Sequence, residues 1–202
     1  VMLMLQLALA LVLGAGVAAG FWGLVSPWLA PLGGLAVGLV LLLFRREDGR
    51  IFAYYLMHDF AFSAQAKGAY PAALEARLAE FARAVAEGLQ RDVDEVLVVG
   101  HSSGAYLAVS VLADVLRASP LSPDGPALNF LSLGQVVPMV SFLPNAVRLR
   151  GDLQYLAGCD QLSWVDVTAL GDVCAFALCD PVAVTGVSPV PQHWPSVFSC
   201  IQ

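Results

Sequence analysis

The sequence predicts an α/β protein whose parallel sheet follows a transmembrane helical hairpin, on three observations. No charged residue occurs before Arg45, although the chain holds ten basic and sixteen acidic ones. A β-branched run, Val96-Leu97-Val98-Val99, leads into Gly100-His101-Ser102-Ser103-Gly104 and then a helical stretch, in the order strand, sharp turn, helix. Strand-like and helical segments then alternate as β-α-β-α-β.

At 58% hydrophobic and 13% charged, the 202 residues are too apolar for one soluble domain, which averages about 45–50% apolar and about 25% charged. The surplus lies in residues 1–21 and 27–44, each near the ~20 apolar residues a spanning helix needs. Trp22, Trp28 and the Ser26-Pro27 turn signal suit a membrane–water interface between the two spans. Gly16 and Gly20 share one helix face, as do Gly34 and Gly38, so small residues are expected to pack the spans together. Gly14-Ala15-Gly16 and Gly20 do not make a dinucleotide fingerprint: no strand precedes them and the last spacing is one residue too long. Arg45, Arg46 and Arg50 mark the cytoplasmic side, which places everything downstream in the cytoplasm.

The chain therefore divides into a hairpin over 1–44, a juxtamembrane segment over 45–69 and an α/β domain over 70–202. Residues 51–57 fit a buried strand or an interfacial helix, and periodicity does not choose between them. Leu74, Leu78, Phe81, Val85 and Leu89 recur at helical spacing and predict an amphipathic helix over 71–90. Val96 to Val99 read as a strand buried in a parallel sheet, followed by a helix over 105–118. Residues 127–133 and 162–168 read as strands with a helix over 145–157 between them. The chain opens on Val1 inside an apolar run and stops at Gln202 without a capping element, so the α/β domain is read as incomplete.

Gly100-His101-Ser102-Ser103-Gly104 has the G-x-S-x-G form of a nucleophile elbow, with strand and helix on the required sides. In such a turn the serine takes a strained backbone conformation, and the small residues two before and two after let strand and helix approach. Ser102 is the expected nucleophile and the Ser103 backbone N–H the expected oxyanion donor, aided by the positive end of the helix. No P-loop lysine or G-x-G-x-x-G accompanies the turn.

The run Glu95 to Ala105 resembles the nucleophile region of lipase-like α/β-hydrolases. Phe130-Leu131-Ser132-Leu133-Gly134 is similar to the strand after the nucleophile helix in class 3 lipases, and Val167 to Val173 to the stretch bearing their catalytic aspartate. The whole chain resembles bacterial membrane proteins with a hydrolase domain behind a transmembrane hairpin. The resemblance implies a partial α/β-hydrolase sheet, ester hydrolysis and a bacterial inner-membrane location, and a catalytic histidine nearer the C-terminus, beyond Gln202.

From the residues themselves, Asp172 is the first choice for the acid because it falls just past a strand, in the chain order Ser then Asp. Asp166, inside that strand, and Asp180, before Pro181, are the alternatives. His193 is the one histidine after the acid, in the Pro191-Gln192-His193-Trp194-Pro195 loop, and is expected not to be the base. His58 and His101 read as structural.

A net charge of −6 argues against a phosphate-tracking nucleic-acid surface. Cys159, Cys174, Cys179 and Cys200 form neither a C-x-x-C pair nor a set with histidine at zinc spacing, so neither metal nor cofactor is expected. The expected partners are the lipid bilayer and a small ester or acyl-lipid substrate. The competing reading is a degenerate hydrolase fold that serves as a membrane-bound binding or scaffold module.

Overall fold

The computed structural model describes residues 2–25, 27–169, 171–172, 174–187 and 198–201. It separates into two units, Val1–Ala61 and Phe62–Gln202.

The first unit is led by α1 (Met2–Gly20) and α2 (Leu32–Arg46), joined through a wide turn at Phe21–Val25 and a short helical turn at Pro27–Leu29. Leu3–Gly23 and Pro27–Arg46 are long and apolar enough to cross a membrane. Met4, Leu35, Leu42, Trp22 and Trp28 are exposed on this unit, as lipid-facing side chains would be. The helices approach closely at Gly14 and Gly33: a Cβ on Gly14 would stand 2.8 Å from the Gly33 carbonyl oxygen, and one on Gly33 would stand 2.7 Å from Ala18 Cβ. The glycines expected at this contact, Gly16, Gly20, Gly34 and Gly38, face open space instead.

Arg45 and Arg46 sit in the last turn of α2, and α3 (Asp48–Ile51) follows. Phe52 then turns left-handed at φ 56° and α4 (Ala53–Gln65) begins. Residues 53–57 are thus helical. The Asp48 carboxylate accepts the Tyr54 and Tyr55 N–H groups at 2.8 and 3.0 Å, satisfying first-turn donors that otherwise lack acceptors.

In the second unit α5 (Ala72–Gly88) precedes β1 (Glu95–His101), α6 (Ser103–Ala118) and β2 (Ala127–Leu133). Next come α7 (Val137–Ser141), α8 (Val147–Ala157), β3 (Leu162–Thr168), α9 (Pro181–Thr185) and β4 (Phe198–Ile201). The strands are parallel and lie side by side in chain order. Gly100, Ser132, Asp166 and Ser199 stand in one row across the sheet.

Period-two alternation turns Leu128 and Phe130 of β2, and Leu162 and Trp164 of β3, into the core. There they meet Val109, Leu112 and Leu116 of α6 and Leu149, Leu153 and Leu156 of α8. Each such side chain contributes roughly 1.5–3 kcal/mol by leaving water. Phe130 and Trp164 pack against each other at a tilt of 43°, with ring centroids 4.9 Å apart. Arg148 bridges α8 to α6 through both oxygens of Asp114 at 2.6 Å, and Arg117 pairs with the buried Asp152 at 2.5 Å.

One core expectation needs correction: Leu97 and Val99 are 50% and 53% exposed, so β1 is not buried on both faces. The amphipathic helix expected over 71–90 is α5, with Leu78 of its stripe buried and Phe81 exposed.

Candidate functional site

The chain passes from β1 to α6 through Ser102, whose backbone takes φ 55° and ψ −121°. A non-glycine residue there costs about 1–3 kcal/mol and persists only where its surroundings enforce it. Ser102 N–H donates to Leu133 O at 2.9 Å, and Ala105 N–H donates to Ser102 O at 3.1 Å. Gly100 is required by contact: a Cβ there would lie 2.8 Å from both Ala105 Cα and the Gly104 carbonyl oxygen. Gly104 is not, since a Cβ on it meets nothing within 4 Å. The sharp turn thus rests on one of the two glycines. Ser103 heads α6, where first-turn N–H groups have no acceptor one turn back.

The next strand end supplies the second part of the site. Gly134 follows β2 at φ 55° and donates its N–H to Val167 O at 2.8 Å. A Cβ on Gly134 would fall 2.6 Å from Asp172 Oδ2, so the carboxylate lies directly against the bare glycine. Asp172 Oδ1 accepts the Cys174 and Ala175 N–H groups at 3.0 and 3.2 Å, closing the turn after β3. Ser102 and Asp172 therefore belong to the same carboxyl edge of the sheet, with only the end of β2 between them. Two strand spacings separate the ends of β1 and β3, about 10 Å.

Gln135 fixes the Asp172 loop. Wholly buried, it donates through Nε2 to Phe176 O and Cys179 O at 3.0 and 3.2 Å, and its Oε1 accepts the Val137 N–H at 2.9 Å. Its backbone carbonyl accepts the Phe176 N–H at 3.0 Å. The loop after β2 and the loop after β3 are held as one piece. Burial first, and the neighbouring Asp180 and Asp166 carboxylates second, push the Cys179 thiol up.

The other two acid candidates are otherwise engaged. Asp180 caps α9, its Oδ1 accepting the Val182 and Ala183 N–H groups at 2.9 and 3.0 Å. Asp166 is 1% exposed and faces the core rather than the loop edge. Its Oδ1 accepts the Ser132 hydroxyl at 2.5 Å, and Ser132 Oγ accepts the Trp164 Nε1–H at 2.9 Å. Asp166 Oδ2 and Thr168 Oγ1 are buried without a hydrogen-bond partner among the described residues. Burial raises the Asp166 carboxyl above its usual range, and the Ser132 hydroxyl pulls it partly back.

No family model, curated protein or solved structure matches this chain. The placement of each residue accordingly rests on its own geometry. His101 is exposed on the open face of the sheet, in alternation with Leu97 and Val99, and His58 is exposed on α4. His193 lies outside the described residues.

The Ser132–Trp164–Asp166 cluster carries a stability prediction. Ser132→Ala removes the acceptor of one buried N–H and the donor of one buried carboxylate, each worth about 1–3 kcal/mol when left unmade. The loss grows with pH. A carboxyl raised in the folded state contributes stability at acid pH and loses it as pH rises from the unfolded value through the folded one. Without Ser132 the folded value rises further and the window widens. Thermal unfolding of the full chain in detergent should show a lower midpoint for Ser132→Ala, with a larger deficit at pH 7 than at pH 4; equal deficits would rule this account out.

Proposed function

We propose that this chain is part of a membrane-anchored serine hydrolase, an esterase or lipase of the class 3 lipase-like α/β-hydrolase type that works by acyl transfer through Ser102. The observation that carries this reading is Ser102 at φ 55° between β1 and α6, with Gly100 pressed against the first turn of the helix. A strained serine at the carboxyl edge of a parallel sheet presents its hydroxyl above the sheet, where substrate arrives. Backbone strain of this kind clusters at active sites.

In the proposed reaction Ser102 Oγ attacks an ester carbonyl while an imidazole takes the hydroxyl proton. Ser103 N–H and the α6 N-terminus receive the charge that develops on the carbonyl oxygen. The alcohol leaves with the proton from the imidazolium, and water then releases the acyl group by the same steps in reverse. Asp172 Oδ2, which accepts no hydrogen bond from the described residues, orients the imidazole from the Gly134 side. The base is an imidazole that reaches both Ser102 Oγ and Asp172 Oδ2. Arg45, Arg46 and Arg50 support a cytoplasmic face for the hydrolase unit at a bacterial inner membrane, with a lipid or other acyl ester as substrate.

The test uses the full-length protein in carbonate-washed membranes, so that one gel reads both anchor and nucleophile. A fluorophosphonate probe should label a membrane-retained band, Ser102 Oγ attacking its phosphorus and expelling fluoride, with Ser102 as the modified residue by mass spectrometry. Retained, folded protein that stays unlabelled would favour the binding or scaffold reading. Protein washed into the soluble fraction would remove the anchor.

A further inference from the structure

The 20 residues Pro27–Arg46 reach about 30 Å at a helical rise, the thickness of a bilayer's hydrocarbon core. Arg45 stands in the last turn of α2, one turn beyond Leu42, which is exposed. It therefore leaves the hydrocarbon where the headgroups begin, whatever the rest of the chain folds into. Trp22 and Trp28 mark one end of the hairpin, and Tyr54 and Tyr55 follow at the other, as aromatic side chains do at both faces of a membrane. The chain doubles back at this end. Across the left-handed Phe52, Asp48 caps the start of α4, which brings Tyr54, Tyr55, Met57 and His58 together with Arg45 and Asp48 around one open cavity of about 560 Å³. All six residues belong to the first unit. The walls carry both signs of charge. Neither Arg45 nor His58 has a hydrogen-bond or ion-pair partner among the described residues, while Arg50 pairs with Glu47 at 2.8 Å. Each Asp48 oxygen accepts one backbone N–H and keeps acceptor capacity for a second donor.

We propose that this cavity holds the headgroup of an aminophospholipid, its phosphate on Arg45 and His58 and its ammonium on Asp48 beside the Tyr54 and Tyr55 rings. The proposal rests on the membrane-anchored reading of the hairpin. A guanidinium fork matches phosphate oxygens, and an ammonium is held by a carboxylate and by the face of a phenol ring. A headgroup with negative charge alone would bring its phosphate near Asp48 with no cation to answer that carboxylate. Leu39, Leu42 and Arg45 follow one another at three-residue spacing along α2, and both leucines are exposed. The acyl chains of a lipid seated on Arg45 thus have apolar surface to run along, which a soluble phosphate ester of the same headgroup would not use.

The test places the full-length protein in nanodiscs with equal amounts of phosphatidylethanolamine and phosphatidylglycerol. Lipid that stays bound after transfer to detergent is identified by native mass spectrometry. Phosphatidylethanolamine should be retained over phosphatidylglycerol by about fivefold or more, the scale of one added charge-assisted contact. Arg45→Gln should lower retention of both lipids by about tenfold. Arg46→Gln removes the same charge from the same turn but outside the cavity, and should leave retention within about twofold. Asp48→Asn keeps one oxygen for the turn and should abolish the preference while phosphatidylglycerol is retained as before. No retained lipid, equal retention of the two, or a preference that survives Asp48→Asn would overturn the headgroup site. Equal losses for Arg45→Gln and Arg46→Gln would overturn it in favour of a merely basic flank. Carbonate washing of membranes judges the anchor separately: protein that stays in washed membranes yet retains no lipid keeps the anchor and loses this site, whereas protein washed into the soluble fraction loses both.

Discussion

Ser102→Ala is expected to lower ester turnover by the full-length protein by about 10⁴-fold or more, the scale of removing a nucleophile that acts as a unit with its base. The alanine keeps the strand, the helix and the backbone bond to Leu133 O, so folding is affected only through the positive φ. Ser103→Ala is the matched control. It keeps the N–H that heads α6 and removes only a hydroxyl, so the rate should stay within about tenfold, unless that hydroxyl takes part in proton transfer. The pair is measured on short p-nitrophenyl esters beside the thermal midpoint of each variant. Equal losses for both, or a Ser102→Ala enzyme that turns over normally, would sink the nucleophile assignment.

How much of this was legible depends on how local the determinant is. Residues 127–133 and 162–168 were predicted as strands and appear as β2 and β3, because alternation of inward and outward side chains is written directly in the residue types. The turn at Ser102 was equally legible, as a short motif between a strand and a helix. The role of Gly104 was not. The spacing names two small residues, but only Gly100 meets the helix. The hairpin shows the same limit: a helical face of glycines can be read from spacing, whereas which face meets the partner depends on how the helices rotate, and Gly14 and Gly33 make the contact. Residues 53–57 could not be assigned because their helix is capped by Asp48 from across the left-handed Phe52, a device outside the capping patterns at the helix start. Ser132 and Gln135 were missed altogether. Each is a single polar residue in an apolar stretch; both partners of Ser132, and two of the three that the Gln135 side chain bonds, lie more than thirty residues away.

Between Asp172 and Asp166, the geometry predicts that only substitution of Asp172 costs turnover. Asp172 has one oxygen held by two backbone N–H groups and the other directed at Gly134, on the edge that also carries Ser102. Such a carboxylate is fixed by its turn and still has an acceptor for an imidazole N–H. Asp172→Asn keeps the turn acceptor but presents a neutral amide, which holds the ring in the wrong tautomer and stabilises no imidazolium. Turnover should fall by about 10³–10⁴-fold with little change in thermal midpoint. Asp166→Asn differs on both counts. Its carboxyl points into the core, bonded to Ser132, and its burial opposes ionisation. The amide oxygen can still accept the Ser132 hydroxyl, so turnover should stay within about tenfold, while the carboxyl's contribution to the pH dependence of stability disappears. Both variants are read for turnover and for thermal midpoint between pH 4 and pH 8. If Asp166→Asn abolishes turnover and Asp172→Asn does not, the catalytic acid lies in β3 itself, and the loop after it serves only to close the sheet edge.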